Sequence, residues 1–191
     1  GMEISELSGV VNGTTNFILY ELECGSPFDV ALREAVDRGY AEKNPHYDLE
    51  GHDVGLKLVG LARKLFGVEI DMSEVELCGL SEGLRGIVGM TTERVLADKK
   101  NGLRWKLFGK LIRTREGSVK ATVCPRSFPE ASDFGRLEGF TNAVEIVGNL
   151  SGKPIRLFLR GPGAGAEETA SRVLGNLNDV IESLVWRRGG P

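Results

Sequence analysis

Apolar residues fall at helical spacing from the start of the second decade: Phe17, Ile18, Leu19 and Leu22 follow Gly13-Thr14-Thr15. This spacing predicts a first helix beginning near Thr14, with the threonine hydroxyls as N-caps and Gly25 just past the C-cap. Ser26-Pro27 restarts a helix, with Ser26 as N-cap and Pro27 in the first turn. Phe28, Val30, Ala31 and Ala35 give it an apolar face, and Gly39 ends it. Residues 40–52, YAEKNPHYDLEGH, have no period and read as a loop. A third helix is expected over 53–66, with Gly67 after it. On its wheel Val54, Leu58, Leu61 and Leu65 form one stripe, and Asp53, Lys57 and Lys64 the opposite one.

Residues 68–90 alternate only weakly, and 92–100 read as a short helix closed by Asn101-Gly102. The period then changes to two. RWKLFGKLIR and SVKATVC flank the turn Thr114-Arg115-Glu116-Gly117, and NAVEIVGNL and KPIRLFLRG flank Ser151-Gly152, so two hairpins are expected. Residues 166–186 have the pattern of a long amphipathic helix. Helices, then antiparallel strands, then one helix predict an α+β fold. The expected architecture is a mixed sheet from about 68–80, 103–125 and 141–160, covered on one face by helices.

The 24 Lys+Arg against 27 Asp+Glu leave a formal net charge of −3, which offers no attractive field to nucleic acid or an anionic membrane. Hydrophobic residues at 41% and charged residues at 27% are ordinary for a globular chain. No apolar run approaches the roughly 20 residues of a spanning helix. The opening GMEISELSGV lacks the basic start and apolar stretch of a signal peptide, so a cytoplasmic location is expected and Gly1 reads as a tag scar. Cys24, Cys78 and Cys124 are expected as small buried apolar residues in a reducing compartment, without a disulfide or a zinc site. His46 and His52, with no cysteine nearby, suggest no metal site. At 191 residues the chain suits one domain, whereas a dinucleotide-binding domain plus a substrate domain needs about 250–350.

Three segments carry candidate chemistry. Gly161-Pro162-Gly163-Ala164-Gly165-Ala166 sits between a predicted strand and a predicted helix, so Gly163, Ala164 and Gly165 are candidates to cradle a cofactor phosphate. A complete dinucleotide fold does not follow, because no further strand comes after it. The ordinary reading is a tight strand-to-helix turn. Glu42, Asp48, Asp53 and Lys57 gather three carboxylates and one ammonium within sixteen positions. Asp53 and Lys57 are i and i+4 and share a helix face, which by itself describes an exposed ion pair worth about 0.3–0.5 kcal/mol. A carboxylate beside a lysine also keeps an amine charged and oriented, as a proton donor to oxygen requires, and further carboxylates would hold a cationic amine. Asn12-Gly13-Thr14-Thr15-Asn16 reads first as a helix cap, and alternatively as a cradle for a carboxylate.

Together these segments resemble one family. Ser8 to Leu19, SGVVNGTTNFIL, is similar to the opening of the catalytic domain of homoserine dehydrogenases. Gly39-Tyr40-Ala41-Glu42, Pro45, Asp48-Leu49-Glu50-Gly51-His52-Asp53 and Lys57-Leu58 resemble the family's signature segment. Gly161 to Ala170 is similar to its C-terminal turn and helix. The resemblance implies interconversion of aspartate semialdehyde and homoserine by hydride transfer with NAD(P). By position it implies Lys57 and Asp53 as the pair beside the reacting oxygen, and Thr14, Glu42 and Asp48 as substrate contacts. Where the family usually has Glu-x-Asp-Pro, this chain has Glu42-Lys43-Asn44-Pro45.

The resemblance further implies a catalytic and dimerisation unit spanning 2–187. The nucleotide-binding domain, with its glycine-rich loop, a second catalytic lysine and a monovalent-cation site, is expected outside this chain, on a longer polypeptide or a separate partner chain. The 166–186 helix is expected to pack on that domain, or its Val173, Leu174, Leu177, Val180 and Ile181 to find another cover. A homodimer is expected through the sheet, since exposed strand edges are otherwise a liability. The alternative reading is a stand-alone module that binds an amino acid or only dimerises.

Overall fold

Six strands form one sheet in the order β2-β4-β3-β1-β5-β6, in a computed structural model that describes residues 2–163. The strands are β1 (Met2–Val10), β2 (Val75–Leu77), β3 (Leu103–Arg113), β4 (Val119–Pro129), β5 (Thr141–Leu150) and β6 (Lys153–Pro162). All neighbours are antiparallel except β2 and β4, so the sheet is mixed, as expected. The two predicted hairpins are β3–β4 and β5–β6, with Ser151 and Gly152 both at positive φ in the second turn. The expected 166–186 helix, Ala164 and Gly165 lie outside the described residues.

The sequence reading omitted β1, which is the strand that joins the two hairpins. Its alternation is broken by a bulge: Ile4 faces Gly148 and Glu6 faces Val147, leaving Ser5 as the extra residue. Ser5 Oγ donates to Val147 O at 3.2 Å. The bulge brings Ile4 and Leu7 to the same helix-covered core although they are three apart.

The helices are α1 (Gly13–Glu23), α2 (Phe28–Asp37), α3 (His46–Leu49), α4 (His52–Leu61) and α5 (Thr92–Lys100). Three local expectations are corrected. Asn12, not Thr14, caps α1. Pro27 occupies the N-cap of α2 without a side-chain bond, while Ser26 Oγ donates to Glu21. The segment read as a loop contains α3.

The third predicted helix changes character midway. α4 gives way to a π-turn over Ala62–Phe66, and Gly67 then ends it at φ 67°. The wider turn holds residues four apart on the core side, so Val54, Leu58, Ala62 and Phe66 are buried and Leu65 is exposed. Val54 and Leu58, both fully buried, each contribute about 1.5–3 kcal/mol by burial. That exceeds the few tenths of a kcal/mol of a surface ion pair. Packing therefore fixes α4, and the Asp53–Lys57 pair is carried on its outer face. Gly109 of β3 admits this close contact, since a Cβ there would lie 2.8 Å from Val54 Cγ1.

The opposite face is not bare. Val10, Phe108, Phe128, Phe134, Leu137 and Ala143 form a second cluster under the 130–140 segment. The cysteine expectation is also corrected. Leu77 is in register with Val123 in the parallel β2–β4 pair, so the next positions, Cys78 and Cys124, fall side by side and are joined as a disulfide. Cys24 is exposed, and none of the three is a buried apolar residue.

Candidate active site

Asn12 organises the site. It lies past the end of β1 in extended conformation and is buried. Its Oδ1 accepts from Thr15 N at 2.8 Å and Thr15 Oγ1 at 2.9 Å, closing the first turn of α1. The other end of the same amide donates from Nδ2 to Asp48 Oδ1 at 2.6 Å and to Asp53 Oδ2 at 2.9 Å. One side chain thus ties the start of α1 to α3 and α4.

The α3–α4 turn makes this convergence possible. Gly51 has φ +84°, and a Cβ there would meet Val123 Cγ1 at 2.9 Å. A glycine both reaches the left-handed conformation and lets the turn rest on β4. Asp48, before the turn, and Asp53, after it, then face the same amide.

Asp53 Oδ2 also accepts from Lys57 Nζ at 2.7 Å, one helical turn on. Lys57 Nζ gives a second proton to Val11 O at 2.8 Å. An ammonium has three donors, so one is left unspent among the described residues. Lys57 is half-exposed and Asp53 one-third exposed, so the pair sits at an accessible surface.

Burial pushes the Asp48 carboxyl above its usual range, and the nearby charge of Asp53 adds to this. The Asn12 amide, Lys57 and the Thr14 hydroxyl work the other way. Asp48 is a carboxylate whose ionised form is short of positive charge, which a cationic amine would supply.

Thr14 is buried at the start of α1 and its hydroxyl donates to Tyr40 O at 2.5 Å. The Tyr40 ring packs between Phe17 and Phe140, with centroids 5.1 and 4.9 Å away. Glu42, two residues on, is exposed and makes no hydrogen bond among the described residues. Of the four charged residues singled out in the sequence, three converge and Glu42 does not join them.

Gly163 N donates to Phe140 O at 2.9 Å. A Cβ on Gly163 would fall 2.2 Å from the Asn142 side chain. Its N–H is therefore committed within the chain and is not offered to a phosphate. Ala164 and Gly165, the other two candidates for a phosphate cradle, lie outside the described residues. His52 Nε2 lies 3.2 Å from Glu50 Oε2, and among the described residues no group of His, Cys, Asp or Glu is arranged to hold a metal.

The sequence reads Asn12 as part of a helix cap or of a carboxylate cradle, and not as the tie between Asp48 and Asp53. An available signal was its chemistry: an N-cap uses only the amide oxygen, so a buried Asn must also place its NH₂ group.

A mixed sheet thus backs a lysine–aspartate pair and a partly buried second acid. The family model described as homoserine dehydrogenase matches residues 1–180. The NAD(+)-dependent homoserine dehydrogenase of Pseudomonas canavaninivorans is 34% identical over 188 residues, which is 98% of this chain and 51% of that protein. A homoserine dehydrogenase structure from Thiobacillus denitrificans superposes with TM-score 0.80 at 34% identity, covering 100% of this chain and 42% of that one. A hyperthermophilic archaeal homoserine dehydrogenase mutant in complex with NADPH gives 0.68 at 28% identity, covering 97% and 49%. The chain belongs to the homoserine dehydrogenase family, a family of oxidoreductases, and spans about half the length of these relatives or somewhat less.

Proposed function

We propose that this chain is the substrate-holding half of an NAD(P)-dependent enzyme interconverting L-aspartate 4-semialdehyde and L-homoserine. The observation that carries the reading is Lys57 Nζ, held by Asp53 and Val11 O with one donor to spare and with Asp48 beside it.

Each part of the substrate has a counterpart. Asp48 receives the cationic amine, with Glu42 assigned to the substrate by resemblance alone. Thr14, at the start of α1, lies where a substrate carboxylate meets the positive end of the helix. The unspent Lys57 donor hydrogen-bonds the aldehyde oxygen. In the reducing direction Lys57 passes that proton to oxygen while the carbonyl carbon accepts hydride, leaving an alcohol and a neutral amine that regains its proton from water. Asp53 aims the ammonium. The nicotinamide supplies the hydride when bound. The naming of NAD(+) in one relative and NADPH in one neighbour supports that cofactor class. By the same resemblance the nucleotide is assigned chiefly to a unit outside this chain. Carbon and hydride donor must meet within about 3–3.5 Å, which requires that unit to close over the cluster.

A homodimer through the sheet is part of the same reading. The edge strand β6 leaves Leu157 41% and Leu159 62% exposed, an apolar edge that a second copy would cover. Sedimentation at micromolar concentration should show a dimer. A monomer would count against it. Among the described residues no helix is long and apolar enough to cross a membrane.

Calorimetric titration of the chain with L-homoserine tests the reading. Saturable heat that disappears in Asp48→Ala is expected. Equal heats from both proteins would remove Asp48 from the site.

A further inference from the structure

The disulfide lies behind the turn that carries Asp48 and Asp53. Cys78 follows β2, a strand of three residues at the sheet edge, and Cys124 sits beside it on β4, with 4.7 Å between the two Cα atoms. Both cysteines are half-buried, so a small thiol or disulfide reagent can reach them.

Each end of the bond backs one side of the α3–α4 turn. Val123, the residue before Cys124, is the one on which Gly51 rests. From Cys78 the chain crosses 79–91 with no regular helix or strand before α5. That segment is tied to both sides. Cys78 N donates to Val123 O at 2.8 Å, and Gly86 N donates to Cys78 O at 2.8 Å. Ile87, fully buried, donates its N–H to Leu49 O at 2.8 Å. Gly86 lies against the same carbonyl, where a Cβ would collide with Leu49 O. Leu49 follows Asp48, so the bond and two hydrogen bonds connect Cys124 to the residue beside the acid.

α3 depends on this backing. It is four residues long and has no side-chain cap among the described residues, and a helix that short does not hold by itself in water. Without the bond, the 79–91 segment hangs on a three-residue edge pairing and single backbone hydrogen bonds, which is where local opening is least costly. The bond is not needed as a general staple. Domains that require one are usually below about 40 residues, and here Leu19, Leu58, Leu107 and Leu111 are fully buried in a core that excludes both cysteines.

We infer that Cys78 and Cys124 form a redox switch on the Asp48 side of the site: joined, they lock residues 79–91 against α3, and reduced, they let that segment open and α3 lose its backing. The consequence for ligand binding rests on the proposed assignment of the substrate amine to Asp48. Reduction takes two electrons and two protons from a dithiol. The sulfur–sulfur bond breaks, two thiols form on the chain, and the dithiol closes to its own disulfide. Oxidised glutathione reverses the step and leaves as two molecules of its thiol.

The whole chain is equilibrated with oxidised glutathione or with dithiothreitol, and the linkage is read by non-reducing peptide mass spectrometry. The Cys78 and Cys124 peptides should be joined in the first and separate in the second. Hydrogen exchange of peptides within 46–51 and 79–91 should be about fivefold faster or more in the reduced chain, with β5 and β6 unchanged. In calorimetry the reduced chain should bind L-homoserine about fivefold more weakly or beyond. Cys78→Ser should match the reduced wild type and ignore dithiothreitol. The inference is overturned if oxidised glutathione does not join the two cysteines, if 46–51 exchanges equally in both states, if reduction speeds exchange evenly over the chain as loss of a staple would, or if homoserine binds both states equally. Absence of homoserine heat in both states, with the exchange difference present, would remove the substrate from Asp48 and leave the switch on α3 standing.

Discussion

Lys57 Nζ lies 2.7 Å from Asp53 Oδ2, one turn earlier on the same helix. On an isolated helix such a pair is common and weak. Here the same carboxylate oxygen also receives Asn12 Nδ2, and the same ammonium also reaches Val11 O, so the pair is held at both ends by the segment that opens α1. Asp53→Asn keeps the shape and removes the charge. In the chain combined with its nucleotide-binding half, kcat for homoserine oxidation should fall about 10²-fold or more with little change in KM. Steady-state kinetics decide it. A rise in KM at unchanged kcat would make Asp53 a binding residue instead.

Asn12 serves the helix and the site at once. Asn12→Ala removes the cap of α1, worth about 0.5–2 kcal/mol, and takes from Asp48 a hydrogen bond worth about 1–3 kcal/mol when its acceptor stays partly buried. The urea midpoint should fall by the larger part of that sum. A loss no greater than a cap alone would show that Asp48 finds another donor.

Asp48 gives a pH dependence of definite sign. Its pKa is raised in the folded chain, so the folded state binds this proton more tightly than the unfolded state. Its contribution to stability is greatest below the unfolded value and declines as pH rises through the window up to the folded value. Asp48→Asn should remove that decline, seen as urea midpoints compared between pH 4 and pH 7. A cationic amine favours the ionised form, so homoserine binding within the window should release a proton. Calorimetry in two buffers of different ionisation enthalpy measures that release.

Lys106 is fully buried, and burial lowers its pKa to about 8, against the opposing pull of Glu23. Above that pH the folded chain loses this proton while the unfolded chain holds it up to about 10.5, so this contribution to stability rises between those values. The difference in unfolding free energy between the wild-type chain and Lys106→Met should therefore move in favour of the wild type from pH 8 to pH 10. A pH-independent difference would mean that the folded chain keeps the Lys106 proton over this range as the unfolded chain does.

Much of the architecture was legible because its signals are local. The i, i+3 and i+4 pattern of Phe17 to Leu22 and the period-two runs around Thr114–Gly117 and Ser151-Gly152 each report one element. What was missed depended on contacts across the fold. β1 loses its period at the Ser5 bulge, whose reason is the pairing with Val147, some 140 residues on. The apolar stripe of α4 was projected to Leu65, but the π-turn replaces it with Ala62 and Phe66. Cys78 and Cys124 meet only through the parallel β2–β4 register. In the site, the spacing of Asp53 and Lys57 was readable directly, and Asp48 followed from its proximity and from resemblance. The amide that joins them reads in the sequence as a cap or a carboxylate cradle, since its tie to two acids exists only once α3 and α4 have folded against it.

The central claim is that the Lys57 ammonium delivers the proton in a reaction whose hydride comes from another unit. Its most direct test is the kcat of Lys57→Ala in the chain combined with a nucleotide-binding half, with homoserine and NAD(P) both saturating. A fall of about 10²–10⁴-fold, with KM for homoserine nearly unchanged, is the predicted result. Turnover within a few-fold of the wild type would contradict it.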